Sequence, residues 1–133
     1  MVVDASRIAA IPVLAELPPE EIDELAGAMT ELEVEPGANV VTVDDYGTAI
    51  YFIEQGEAEV LAEGGGERSS VLGPGDTFGE IALLLTGERT ATVVARTRVQ
   101  LLSLAGHDFE RIRAAVPQLE RVLRRLGLER AAR

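Results

Sequence analysis

The chain has 133 residues, 47% of them hydrophobic, with 12 Lys+Arg against 23 Asp+Glu, a formal net charge of −11, one histidine and no cysteine. That is material for one domain with its own core. Without cysteine there is neither a disulfide framework nor a thiolate metal site. His107 alone makes neither a multi-histidine metal centre nor a pair of histidine acid/base groups, so most hydrolase and metalloenzyme classes are excluded.

Residues 1 to 60 carry 14 acids against Arg7 alone, whereas residues 61 to 133 carry 11 arginines against 9 acids. The acidic half reads as a solvated surface. An acidic chain lacks the positive field that nucleic acid requires, and no basic recognition helix stands out, so no nucleic-acid partner is expected. No apolar run reaches bilayer length, and the start MVVDASR lacks the order of a signal peptide. The chain is expected to be soluble and cytoplasmic, with no direct membrane insertion, either by itself or as a piece of a larger protein at the cytoplasmic face of a membrane.

The first clear element is PPEEIDELAGAM, where Ile22, Leu25, Ala26 and Met29 share one helical face. Pro18, Pro19, Glu20 and Glu21 supply a proline-led, acidic first turn, which suits a helix N-terminus. From Gly37 to Gly87 lie 10 of the 13 glycines, punctuating the runs ANVVTV, AIYFIE, EAEVLAE, RSSVLG, TATVVA and VQLLSL. Short strands with turns about every ten residues predict an antiparallel sandwich, roll or barrel. Pro36-Gly37 and Pro74-Gly75 suit type II turns, Gly56-Glu57 separates two strands, and Gly64-Gly65-Gly66 closes a hairpin.

Within this stretch, FGEIALLLTGERTATV (residues 78 to 93) starts like a strand but holds a helix-competent piece from Glu80 to Leu85. A short helix opening at Gly79 leaves its first N–H groups pointing outward, ready for an anion. Glu80 offers a carboxylate acceptor there. Arg89, just past the helix, can fold its guanidinium onto the same anion, which together makes a phosphate cradle. Glu80 cannot itself sit against a phosphate, because two anions in contact repel.

At the C-terminal end, Phe109, Ile112, Ala115 and Val116 form one helical stripe, and Leu119, Val122, Leu123 and Leu126 form a second after Pro117. His107, beside Asp108, reads as a neighbour of a helix cap and not as a catalytic group. The fold class is therefore α+β: an antiparallel, jelly-roll-like β-roll covered by N-terminal helices and a C-terminal helix pair. The expected divisions are a helical part at 1–30, the roll at 31–104 with the anion-binding segment at 78–92, and C-terminal helices at 105–133.

The run from Phe78 to Leu84 followed by Arg89-Thr90-Ala91-Thr92-Val93 resembles the phosphate-binding cassette of cyclic nucleotide-binding domains. Pro74-Gly75-Asp76 stands where that family turns into its cassette, and Ile50 to Glu57 is similar to its core hairpin. Glu88 departs from the proline that many members place before the arginine. The resemblance implies a ligand, cyclic AMP or cyclic GMP, and no metal. It implies that Arg89 pairs with the cyclic phosphate, that the backbone amides of Ala82 and Ala91 cap the same oxygens, and that Gly79 and Glu80 hold the ribose 2′-hydroxyl, with Ile81 inside the same turn. Val60 and Leu72 would wall the base. Thr90 reads first as a β-branched strand residue, although a hydroxyl here can meet guanine in the family.

RVQLLSLAGHDFERI and the ending LGLERAAR resemble most closely the C-terminal sensors of bacterial cyclic-nucleotide-regulated potassium channels. There the last helix closes over the base, and by position Arg130 would reach the purine. The implied role is regulatory binding without catalysis, passed to an attached effector such as a channel, transporter or enzyme. Two other classes stand beside it: a cupin-like enzyme on a similar roll, which would need histidines this chain lacks, and a scaffold that keeps the fold without the ligand.

Overall fold

The computed structural model describes residues 3–41, 49–62, 69–78 and 91–131. A short α1 (Ala5–Ala9) and α2 (Pro19–Ala28) lead into eight strands: β1 (Thr30–Val34), β2 (Asn39–Val41), β3 (Ala49–Gln55), β4 (Ala58–Ala62), β5 (Ser69–Leu72), β6 (Thr77–Phe78), β7 (Ala91–Ala95) and β8 (Val99–Ala105). After them come α3 (Gly106–Ile112), a 3-10 turn (Arg113–Ala115) and α4 (Pro117–Ala131). The strands make two antiparallel four-stranded sheets, one in the order β1-β8-β3-β6 and the other β2-β7-β4-β5. The helices cover the outer face of the first sheet.

Local chemistry explains these elements. Asp4 caps α1 by accepting a hydrogen bond from the Ser6 N–H at 2.9 Å. Pro19 occupies the first turn of α2, whose Leu25 and Ala26 are buried, with Met29 just beyond its end. In β3 and β8 the side chains alternate: Ile50, Phe52, Leu102 and Leu104 pack against the helices, while Ile53, Val99 and Leu101 pack between the sheets. The two central strands of the first sheet, β3 and β8, are thus buried on both faces.

Turns fix the register. Gly37 and Gly75 have φ of +86° and +91°, and the 4-residue turns around them close with Ala38 N–H donating to the Glu35 carbonyl (3.1 Å) and Asp76 N–H to the Gly73 carbonyl (3.0 Å), as type II turns do. Gly56 (φ +91°) has no room for a side chain, because a Cβ there would lie 2.2 Å from the Arg98 carbonyl oxygen. β4 and β5 pair antiparallel across the triple-glycine stretch, which itself lies outside the described residues.

Three details differ from the sequence reading. The sequence pattern does not predict β1; it is an edge strand bonded to β8, and its alternation of Glu31 and Glu33 with Leu32 and Val34 buries little. Ala115 is exposed rather than on the buried stripe; the α-helix gives way to a 3-10 turn at Arg113–Ala115, and the next inward side chain is the fully buried Val116. The strands also reach one residue further at each end than 31–104, from Thr30 to Ala105.

Arg7, the one cation of the first 60 residues, fastens α1 to the roll. It donates to both carboxylate oxygens of Glu54 at the end of β3, at 3.0 and 2.5 Å, and pairs with Glu31 of β1. These bonds raise its pKa, the Glu54 hydrogen bond most of all.

Candidate functional site

The space between the two sheets is lined from one side by Ile53, Phe78, Val99 and Leu101 and from the other by Ala58, Val93 and Ala95. Val60 and Leu72 belong to this lining. Val60 lies opposite Ser70 and Val93, Leu72 lies opposite Ala58, and both are half-buried at the margin of the cluster. Tyr51 stacks on Phe78 with ring centroids 5.1 Å apart and planes 23° from parallel, so an aromatic pair marks the end of β6.

The chain reaches this point through a tightly held turn. Asp76 accepts the Gly73 N–H on its carboxylate at 2.8 Å, Gly75 N–H donates to the Ile53 carbonyl at 2.8 Å, and Ile53 N–H donates to the Asp76 carbonyl at 2.9 Å. β6 is therefore anchored to β3 up to Phe78. The next described residue, Ala91, starts β7 and pairs with Ala62 in the other sheet. The two ends of the 79–90 segment are thus fixed on opposite sheets, at the edge of one and in the interior of the other. Gly79, Glu80, Ile81, Ala82, Arg89 and Thr90 lie outside the described residues. Arg130 lies in the last turn of α4.

A sequence profile of the family described as the cyclic nucleotide-binding domain matches residues 31–115, from β1 through the 3-10 turn. The chain belongs to the cyclic nucleotide-binding domain family. Among similar proteins, a cAMP-dependent protein kinase regulatory subunit of Yarrowia lipolytica is 41% identical over 102 residues, 77% of this chain and 27% of the relative. A cyclic nucleotide-gated potassium channel of Mesorhizobium japonicum is 34% identical over 92% of this chain and 34% of its own length. The chain thus spans about a third or less of these relatives. The crystal structure of the catabolite activator protein of Thermus thermophilus superposes with a TM-score of 0.78 at 33% identity, covering 91% of this chain and 58% of that one. The β-roll with flanking helices is accordingly the architecture of a cyclic nucleotide-binding domain.

In this domain the first turns of α4 are held by groups that sequence reasoning passes over. Glu21, to the sequence a first-turn acid of α2, is 5% exposed and accepts the backbone N–H of Gln118 (3.1 Å) and of Leu119 (2.9 Å). Arg113 grips both oxygens of Glu120 at 2.6 and 2.8 Å, and Arg124 adds a third bond at 3.1 Å. The Arg113 hydrogen bond, foremost, holds the Glu120 carboxyl down from 4.5 to about 2. A partner 97 residues away leaves no local spacing signal, so only the fold could reveal Glu21. His107 is exposed, 3.5 Å from Asp108. Among the described residues no cluster of His, Asp or Glu could hold a metal, and no helix is long and apolar enough to cross a membrane.

Proposed function

We propose that this single domain, residues 1–133, is a regulatory sensor that binds a cyclic nucleotide, cAMP in preference to cGMP, and reports it to an attached or associated effector in the cytoplasm. It acts by binding and not by turnover. The observation that carries the reading is the family match over residues 31–115, which includes the whole segment whose flanking strands, β6 and β7, belong to opposite sheets. A relative named as cAMP-dependent at 41% identity supports cAMP, and the kinase regulator and the potassium channel support an effector of the channel or enzyme kind.

The chemistry follows from the residue types. An acidic protein holds an anion only by concentrating donors locally, and Arg89 with the amides of Ala82 and Ala91 does so for the cyclic phosphate. Glu80 takes the ribose 2′-hydroxyl in a charge-assisted hydrogen bond beside Gly79, with Ile81 in the same turn. Val60 and Leu72, on the inner face of their sheet, supply an apolar wall for the base, and Thr90 stands at the position where a hydroxyl can meet guanine. α4 closes as a lid, bringing Arg130 to the purine.

Calorimetric titration with cAMP and cGMP tests the reading directly. Tighter binding of cAMP is expected, and Arg89→Ala should cost about 2 to 5 kcal/mol of it because the desolvated phosphate loses its guanidinium. Arg89→Lys should rescue only in part, since a point charge lacks the planar fork. Wild-type affinity in Arg89→Ala would overturn the assignment. Glu80→Gln should cost about 1 to 3 kcal/mol, and less for a 2′-deoxy nucleotide.

A further inference from the structure

The first turn of α4 lacks a cap of its own. Pro117 has no N–H, and Val116 before it carries no side-chain acceptor, so the first N–H groups to need a partner are those of Gln118 and Leu119. Glu21 serves both, one carboxylate oxygen to each, from the first turn of α2. The carboxylate lies between the N-terminal ends of two helices, and both macrodipoles stabilise its charge there. Further along α4 the fastening continues through Leu119 and Leu123, both fully buried, and through the Arg113–Glu120–Arg124 cluster. It weakens after that: the Arg124 side chain is 43% exposed, Arg125 is exposed and Leu126 is half-buried.

We propose that Glu21 is the positioning residue that fixes the pivot of α4, so that the helix swings from a base clamped to α2. This rests on the reading of α4 as the lid over the nucleotide. A lid closes reproducibly only if its near end stays put, and a buried carboxylate holding two backbone N–H groups supplies that reference without touching the ligand. Glu21 therefore sets how long the nucleotide stays, not how fast it arrives.

Dissociation and association rates of a fluorescent cAMP analogue, measured on the full chain, test this with hydrogen exchange over α4. Glu21→Ala should speed dissociation about three- to thirtyfold, the range of losing a helix cap, with association unchanged and ligand-dependent protection of α4 reduced. Glu21→Gln keeps one carbonyl acceptor and should fall between Ala and wild type. Glu21→Asp keeps the charge but loses a methylene of reach, and should resemble Ala. A lowered melting temperature with wild-type dissociation and wild-type α4 protection would make Glu21 a structural cap only and overturn the proposal. Where Glu21→Ala does not fold, Glu21→Gln decides alone by the same criterion. Deletion of residues 127 to 133 separates the two readings: no effect on dissociation overturns the lid, whereas a clear effect there with none from Glu21 overturns this proposal alone.

Discussion

The two faces of the β1-β8-β3-β6 sheet are built to different standards. Toward the helices, 18 described residues form a sealed cluster, among them Ile8, Leu14, Leu25, Phe52, Leu102, Leu104, Leu119 and Leu123 at 0% exposure. Toward the other sheet, 7 described residues are buried, and Tyr51, Val60 and Leu72 are left at its margin half-covered. One face is packed shut against the helices, while the other leaves half-covered apolar side chains at its margin, where the proposed site would take the base. Adjacent residues of one strand thus face different layers: Phe52 is sealed under the helices, and Tyr51 lies at the margin between the sheets.

The sharpest way to break that comparison is Phe52→Ala on the helix side. It should cost about 3 to 5 kcal/mol in urea unfolding, since a fully buried ring leaves a cavity in close-packed surroundings. A loss no larger than that of a marginal residue would show that the helix layer is not where stability resides. On the opposite face, Leu72→Ala should cost only about 1 to 2 kcal/mol of stability, because its side chain is half-buried, while weakening cAMP binding several-fold. Equal stability losses at Phe52 and Leu72 would erase the distinction.

Acid sharpens the contrast further. The folded-state pKa of Glu120 is depressed from 4.5 to about 2, so its contribution is present above about pH 4.5 and drains away as pH falls toward 2. At 24% side-chain exposure, screening by solvent limits it to about 1 kcal/mol. Stability curves of wild type and Glu120→Gln should differ most above pH 4.5 and converge near pH 2; a constant gap across that range would place the effect elsewhere. The smallest effect has the opposite sign. Gly27 sits in α2 with open space where a methyl group would project, so Gly27→Ala should gain about 0.5 to 1 kcal/mol through helix propensity, read as a raised midpoint in urea.

Legibility from sequence followed the range over which each signal acts. AIYFIE and VQLLSL announce β3 and β8 because buried strands need continuous apolar runs, and the Pro-Gly turns announce themselves through a single dihedral angle. β1 stays hidden because a charged edge strand buries too little to pattern its residues, whereas of the two-residue β6 only the strand-like start at Phe78 is legible. Of the candidate site, the order of residue types from Phe78 to Val93 is readable as a motif. The placement of Val60 and Leu72 on one inner face comes from cross-strand register, which no local window contains. Glu21 lies at the far extreme, since its role exists only once α2 and α4 meet.

The order of strands within the sheets also dictates when the protein can fold during synthesis. β8 stands between β1 and β3, with Thr30 opposite Ser103 and Ala49 opposite Ala105, and β7 stands between β2 and β4. In each sheet the strand that leaves the ribosome last, β8 or β7, is one of the two interior strands. Until they emerge, β3 can pair only with β6 and β4 only with β5, while β1 and β2 have no partner, so neither four-stranded sheet can close. Folding of this domain is accordingly late and abrupt, and the emerging segment up to β6 is the stretch a chaperone would have to shield.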